Sequence, residues 1–335
     1  MLARPALKPL AAALCAALLV AAGWLGHAAW QGRRCARSGR LVRQGGYRYI
    51  SPLLDVRLPE GTDLQFEPIP FKHRVEALVA EQAAAGAVEA VAVYYRDLAD
   101  GPWFGIHEDD RFDAASLMKV PVMVAWLKRA ERDPAARQRR FRFDASAYPG
   151  PPQATPPART LQDGESYTVD ALLEHMMRYS DNRAAWLLYR DLADAELGEV
   201  LDSMDTTPAV GGQGNLVSAD GYSGFFRILY NAAYLDKEMS ERALELLSYQ
   251  EFPPGIVAGV PPGVVVASKF GESVAPDRVE LHEFGIVYHR GGPYILGVMT
   301  RGHDLARQAE VIRRVSALVY QQVDQAQPLR RPARP

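Results

Sequence analysis

Cysteine is nearly absent from this 335-residue chain, which has only Cys15 and Cys35, both close to the N-terminus. Everything beyond them therefore folds without a disulfide and works without thiol chemistry. The seven histidines show no His-x-x-x-His spacing and the cysteines no Cys-x-x-Cys spacing, so no metal centre and no cofactor is expected. Charge of one sign is lacking as well. The net charge is −2, which gives no electrostatic footprint for nucleic acid. Internal repeats are absent too. What remains is a chain that is 48% hydrophobic, enough to bury a large core in one or two domains.

The one long apolar run spans residues 10–30 and is interrupted only by His27. As a helix it would be about 30 Å long, enough to cross a bilayer. Arg4 and Lys8 precede it as in an export signal, and Gly26-His27-Ala28 offers a weak cleavage site. Residues 1–30 are thus expected to be a signal anchor or signal peptide, making the membrane a partner through this N-terminal helix. Arg33, Arg34, Arg37, Arg40 and Arg43 follow it, and the positive-inside rule by itself would hold them in the cytoplasm.

Residues 31–70 are basic, then rich in Pro and Asp, without sustained periodicity, and are expected to form a stalk. Globular patterning covers 71–322. Val75, Leu78, Val79 and Gln82 mark a helix, Val91–Val93–Tyr95 alternate with Ala92 and Tyr94 as in a strand, and a short strand follows through Trp103, Phe104 and Ile106. A helix is predicted over 116–132, a Pro-rich loop over 149–157, then a helix capped by Thr168. Helices are further predicted at 183–193, 195–204, 219–234 and 241–249. Strands at 264–269, 284–289 and 294–300 come next, and a last helix carries Leu305, Ala309, Ile312, Val315 and Val319. Residues 323–335 form a Pro/Arg-rich tail expected to be disordered. The order predicts an α+β fold, an antiparallel sheet built from both chain ends with a helical subdomain inserted between them.

Three short motifs carry chemistry. Ser116-Leu117-Met118-Lys119 puts an ammonium about 5–6 Å from a hydroxyl on one face of a helix start. The lysine there takes the serine proton or stabilises the alkoxide. Such a spacing occurs about once by chance in a chain of this length, so by itself it decides nothing. Ser180-Asp181-Asn182, rarer by composition, sits between two helices. Its hydroxyl and amide suit proton relay and a substrate carbonyl, although the same residues also make ordinary turns. Lys269-Phe270-Gly271 is expected to end a strand, where a lone lysine is most simply an edge-protecting charge.

Taken together and in this order, the motifs resemble those of penicillin-binding proteins and class A β-lactamases. The stretches "RDLADGPWFGIHEDDRFDAASLMKVPVMVAW" and "GESYTVDALLEHMMRYSDNRAAWLL" resemble the family's first hairpin with its nucleophile helix and its second motif region. The resemblance spans residues 72–320 and implies a β-lactamase/transpeptidase-like fold and a serine hydrolase working through an acyl-enzyme. It also implies the residue roles: Ser116 nucleophile, Lys119 activator, Ser180 in the proton shuttle, Asn182 on the substrate amide, and Lys269 on Ser180 and the substrate carboxylate. The oxyanion hole would use the N–H of Ser116 and of Glu272, the residue after Gly271. A small molecule or peptidoglycan peptide would be the substrate, and the cell envelope, outside the inner membrane, the location.

Two departures from that family stand out. The stretch 205–220 lacks the glutamate that activates the deacylating water in class A β-lactamases, which predicts weak β-lactamase turnover. Phe270 replaces the hydroxyl residue usual between Lys and Gly, and Phe284 stands where an arginine is common; Arg278 and Arg290 are the nearby cations in sequence. Besides a β-lactamase-related hydrolase, a D-alanyl-D-alanine carboxypeptidase and a non-catalytic envelope-binding relative remain open readings.

Overall fold

The computed structural model describes residues 40–57, 69–99, 101–150, 153–202 and 215–326. The expected leader at 10–30 and most of the C-terminal tail lie outside them. No described helix is long and apolar enough to cross a membrane. The chain divides into two units, 1–43 with 53–65, and 44–52 with 66–335. In the first, strand β1 (Arg40–Arg43) pairs antiparallel with β2 (Leu53–Arg57).

The second unit carries the motifs. Its sheet consists of β3 (Ala90–Asp97), β4 (Trp103–Ile106), β9 (Val266–Val274), β10 (Val279–Val287) and β11 (Tyr294–Gly302). All neighbours are antiparallel in the order β4-β3-β11-β10-β9, so strands from both chain ends build it and β9 forms an edge. Both faces are covered. Val91, Val93 and Tyr95 point into a core shared with helices α1 (Lys72–Ala84) and α8 (Leu305–Ala326), while Ala92 and Tyr94 point into the larger core of the helical part. This is why β3 reads as a continuous apolar run whose two alternating sets are both inside.

The helical part comprises α2 (Lys119–Arg132), α3 (Val169–Arg178), α4 (Asn182–Tyr189), α5 (Asp194–Asp202), α6 (Ala219–Asn231) and α7 (Lys237–Ser248). Thr168 caps α3 as expected, its hydroxyl accepting from the Ala171 N–H at 3.2 Å. Short pairings invisible in the sequence tie loops together: β5 (Phe112–Asp113) with β8 (Leu216–Val217), and β6 (Arg140–Arg142) with β7 (Ser166–Thr168). Part of the segment expected as a stalk is folded. Tyr49 and Ile50 are buried in the larger core, and the N–H groups of Arg48, Tyr49 and Ile50 all donate to the Glu241 carboxylate. The reason is a long-range contact: three successive donors enclose one anion that lies 191–193 residues further along the chain, which no periodicity announces.

Two motif boundaries also differ from expectation. Residues 115–118 form a 3₁₀ turn, with the α-helix starting only at Lys119. The third motif lies in the middle of β9, because the strand continues to Val274 in register with β10. Phe284 pairs with Lys269 on one side and Gly297 on the other. It is fully buried against Tyr222, ring centroids 4.9 Å apart, and a Cβ at position 297 would come within 1.9 Å of its ring. Gly297→Ala should therefore lower stability by about 1–3 kcal/mol through overpacking. Urea denaturation reads this as a lower midpoint at unchanged slope, and trimming the ring with Phe284→Leu in the same chain should recover part of the loss.

Candidate active site

Each motif is held by a different element. Ser116, half-buried, lies on the 3₁₀ turn that leads into α2. The turn is anchored through Asp113. The Asp113 N–H donates to Glu280 Oε2 at 2.8 Å and its carbonyl lies 3.0 Å from His282 Nε2. Its carboxylate accepts from the Ala115 N–H at 3.0 Å and the Ser273 hydroxyl at 2.8 Å. His282 Nδ1 accepts from the Thr300 N–H at 3.2 Å, so Nε2 carries the proton and donates to Asp113. Burial pushes the Glu280 carboxyl up. Its hydrogen bonds with His282, Arg301 and the Asp113 N–H outweigh that and leave it at about 2. This clamp holds Ala115 at φ +45°, a left-handed conformation costly for a residue with a Cβ.

Lys119, 5% exposed, starts α2. Its Nζ donates to the Ser180 carbonyl at 2.6 Å, the Ser180 hydroxyl at 3.0 Å and Asn182 Oδ1 at 2.6 Å. Burial lowers its pKa to about 7, with Asp181 and Glu272 pulling the other way. A charged ammonium has three donors, and these acceptors use all of them. The neutral amine has one donor fewer and a lone pair, which is the form able to accept a proton from a hydroxyl one turn back.

Ser180 sits in the turn between α3 and α4 at φ +55°. Asp181, fully buried, caps α4 by accepting from the Arg183 N–H at 2.9 Å, and its carboxylate also accepts from the Thr160 hydroxyl and the Leu161 N–H. Gln153 spans the same turn, its Nε2 donating to the Ser180 carbonyl at 3.0 Å and its Oε1 accepting from the Asn182 N–H at 2.9 Å. Nothing in the sequence singles Gln153 out, since its role depends on where the Pro-rich loop lands.

Lys269 projects from β9 and is fully buried. Its Nζ donates to the Ser180 hydroxyl at 2.9 Å and the Phe270 carbonyl at 2.8 Å. Ser180 Oγ thus accepts from both lysines. Burial, and after it the charge of Lys119, pushes the Lys269 amine well below its ordinary value. Phe270 stacks on Phe252 with centroids 4.1 Å apart, and Lys269 Nζ lies 4.1 Å from the centroid of the Phe270 ring. The Phe270 N–H donates to Gln250 Oε1 at 2.8 Å, so it faces away from β10. Antiparallel alternation then turns the Glu272 N–H, two residues on, to the same open edge. Gly271 lets this strand approach the Ser116 turn, since a Cβ there would lie 2.9 Å from the Ala114 carbonyl oxygen and 3.1 Å from the Leu117 nitrogen. The Glu272 carboxylate accepts from the Thr155 N–H at 2.7 Å and its hydroxyl at 2.5 Å.

All seven residues singled out in the sequence therefore lie around one place: Ser116, Lys119, Ser180, Asn182, Lys269, Gly271 and Glu272. The two cations considered as substitutes for the missing arginine do not join them. Arg290 pairs with Asp324 at 2.9 Å, and Arg278 lies 4.0 Å from Glu280, beyond the turn-side end of β10. Among the described residues no cluster of metal-ligating side chains occurs.

The sequence matches the model of the β-lactamase enzyme family over residues 70–323. A comparison with curated proteins finds no match. Among solved structures, a β-lactamase from Sphaerobacter thermophilus is 21% identical with a TM-score of 0.65, the match covering 77% of this chain and 98% of that one. A class A β-lactamase from Mycobacterium abscessus is 21% identical at TM-score 0.65, over 74% and 98% of the two chains. The protein PBP-A is 21% identical at TM-score 0.64, over 76% and 95%. At such identity the structural likeness is one of fold, an α+β arrangement of helices on an antiparallel sheet.

The buried lysines make stability depend on pH in a definite direction. With Lys119 at about 7 in the folded chain and 10.5 as its ordinary value, the unfolded chain binds more protons between those limits. Stability should rise with pH through that window, at up to ~1.4 kcal/mol per pH unit for each such group. Urea midpoints measured between neutral and alkaline pH check this. Lys119→Met should flatten the rise, leaving the part due to Lys269.

Proposed function

The chain belongs to the β-lactamase enzyme family and is a serine hydrolase of that fold, and on that footing we propose that Ser116 is acylated by an amide or ester substrate with Lys119 as its base. The observation that carries the reading is the Ser180 hydroxyl, which accepts from Lys119 Nζ at 3.0 Å and Lys269 Nζ at 2.9 Å beside the nucleophile turn. Neutral Lys119 takes the Ser116 proton as Oγ attacks the carbonyl carbon. The N–H groups of Ser116 and Glu272 receive the developing oxyanion, and Asn182 receives the substrate amide. As the tetrahedral intermediate collapses, the proton returns through Lys119 and Ser180 to the leaving nitrogen or oxygen. Water then hydrolyses the ester and regenerates Ser116. A mutant of PBP-A has been solved as an acyl-enzyme complex with penicillin G, which makes a penicillin a suitable probe for this chain.

Interlocked buried lysines speak against a non-catalytic relative, because two desolvated amines weaken a fold that has no use for them. The stretch 205–220 brings no glutamate to the deacylation step, so turnover of β-lactams is weak in this reading. Incubated with benzylpenicillin, the full-length chain should gain one acyl adduct by intact mass, located at Ser116 and absent in Ser116→Ala. Lys119→Ala should acylate at least about 10²-fold more slowly with an unchanged circular dichroism spectrum. Labelling at another serine, or multiple turnover near ~10⁸ M⁻¹s⁻¹ with nitrocefin, contradicts the assignment.

The location proposed is extracytoplasmic, with the apolar run at 10–30 as tether. Support comes from the sequence: the run is long enough to span, and substrates of this chemistry lie outside the inner membrane. The Arg cluster that follows would then lie against anionic lipid at about 1 kcal/mol per residue. An alkaline phosphatase fused to the C-terminus should be active, and an inactive fusion places the domain inside.

A further inference from the structure

Among the described residues, none gives the third motif a receptor for a carboxylate. A substrate with a free carboxylate beside its scissile bond needs a cation or hydroxyl donors on the open side of β9. At position 270 the side chain is a phenyl ring, 3% exposed, stacked on Phe252 and facing Lys269 Nζ. Lys269 is fully buried and spends its hydrogen bonds on Ser180 and the Phe270 carbonyl. Phe284, opposite Lys269 on the next strand, is buried in the aromatic core. Nearby guanidinium groups are committed elsewhere: Arg301 to Glu280 at 2.6 Å, Arg278 to the same carboxylate, and Arg290 to Asp324. Residues 203–214, between α5 and β8, contain neither Lys nor Arg.

In place of a receptor there is an anion. Glu272, whose N–H faces the open edge, is half-buried and holds its carboxylate on Thr155 of the Pro-rich loop through two hydrogen bonds. It is close enough to act electrostatically on both Lys119 and Lys269. Asp181 adds a second carboxylate behind the second motif. A substrate carboxylate at the edge of β9 would therefore meet a fixed negative charge in a partly desolvated place, where repulsion is screened far less than in water.

Resting on the acyl-enzyme reading above, we infer that this site selects an amide or ester with no free carboxylate next to the scissile bond, with Glu272 as the residue that rejects the charged form. Such a substrate is an internal peptide bond, an amidated terminus or a neutral ester; a C-terminal residue with its free carboxylate is disfavoured.

A matched pair of probes tests this: benzylpenicillin and its methyl ester, which differ in that one charge. Acylation rates at Ser116 are read by intact mass on the full-length chain, with Ser116→Ala as control. The ester should acylate faster than the acid, by roughly tenfold for one unscreened like charge at a partly buried edge. Glu272→Gln keeps an acceptor for the Thr155 N–H and removes the charge. It should raise the rate with the acid and narrow the ratio toward one, with an unchanged circular dichroism spectrum. An acid that reacts as fast as the ester or faster in the unaltered chain overturns the inference and leaves the acyl-enzyme reading standing. A preference for the ester that Glu272→Gln leaves unchanged removes Glu272 from the role. If neither probe labels Ser116, the acyl-enzyme reading itself fails, and this inference with it.

Discussion

Two lysine side chains brought out of water onto one hydroxyl set the terms for the rest of this molecule. Lys119 and Lys269 each donate to Ser180 Oγ, which puts their nitrogens within about 6 Å of each other, where like charges strongly disfavour double ionisation. Burial already lowers both amines, and the charge of Lys119 lowers Lys269 further. Two carboxylates in reach, Asp181 and Glu272, pull against burial at Lys119 and leave it at about 7, so its neutral and charged forms are both accessible near neutrality. An amine that titrates near neutrality can serve as a base and then as an acid, which suits the acyl transfer proposed for this site.

Such a pair persists only if the backbone around it cannot relax. Ser180 is held at φ +55° by Asp181, which caps α4, and by Gln153, which bridges the turn from outside. On the nucleophile side, Asp113 has its N–H, carbonyl and carboxylate all engaged by the sheet or the following turn. Those contacts come from β9 and β10, so the sheet sets the position of Ser116 relative to the Glu272 N–H. Gly271 completes the approach by presenting no Cβ to the backbone of the turn. Ala115 and Ser180, two of the four non-glycine residues with positive φ among the described residues, carry or flank the hydroxyls of the site, and the network around each is what holds the strain.

The departures from the family pattern share one physical direction. Phe270 and Phe284 exchange polar reach for packing: one joins Phe252 in the core beneath α8, the other joins Tyr222 in the helical core. Glu272 adds negative charge at the same edge. Together they lower the polarity and the positive potential of the third motif while leaving the lysine–serine–lysine bridge intact. The departures lie at the edge of the third motif, and Lys119, Ser180 and Lys269, the groups proposed to handle the proton, stay bridged.

Much of this was legible from residues alone. Alternation in 91–95 marked a strand, the stripe from Val75 to Gln82 marked α1, Thr168 marked a helix start, and the three motifs marked residues that the fold brings together, because periodicity and capping are local properties that the chain carries with it. The sequence also determined that no disulfide and no His- or Cys-based metal motif takes part in the globular region. What it left open depended on contacts between distant segments. Only tertiary structure placed Gln153 across the Ser180 turn, the N–H groups of 48–50 on Glu241, and Asp113 under His282 and Glu280. The third motif also proved to lie in mid-strand, because β9 is extended by its pairing with β10. The difference is physical: a hydrogen bond from i to i+4 or a buried stripe leaves a spacing in the chain, whereas a side chain that meets its partner 27 or 193 residues away leaves none.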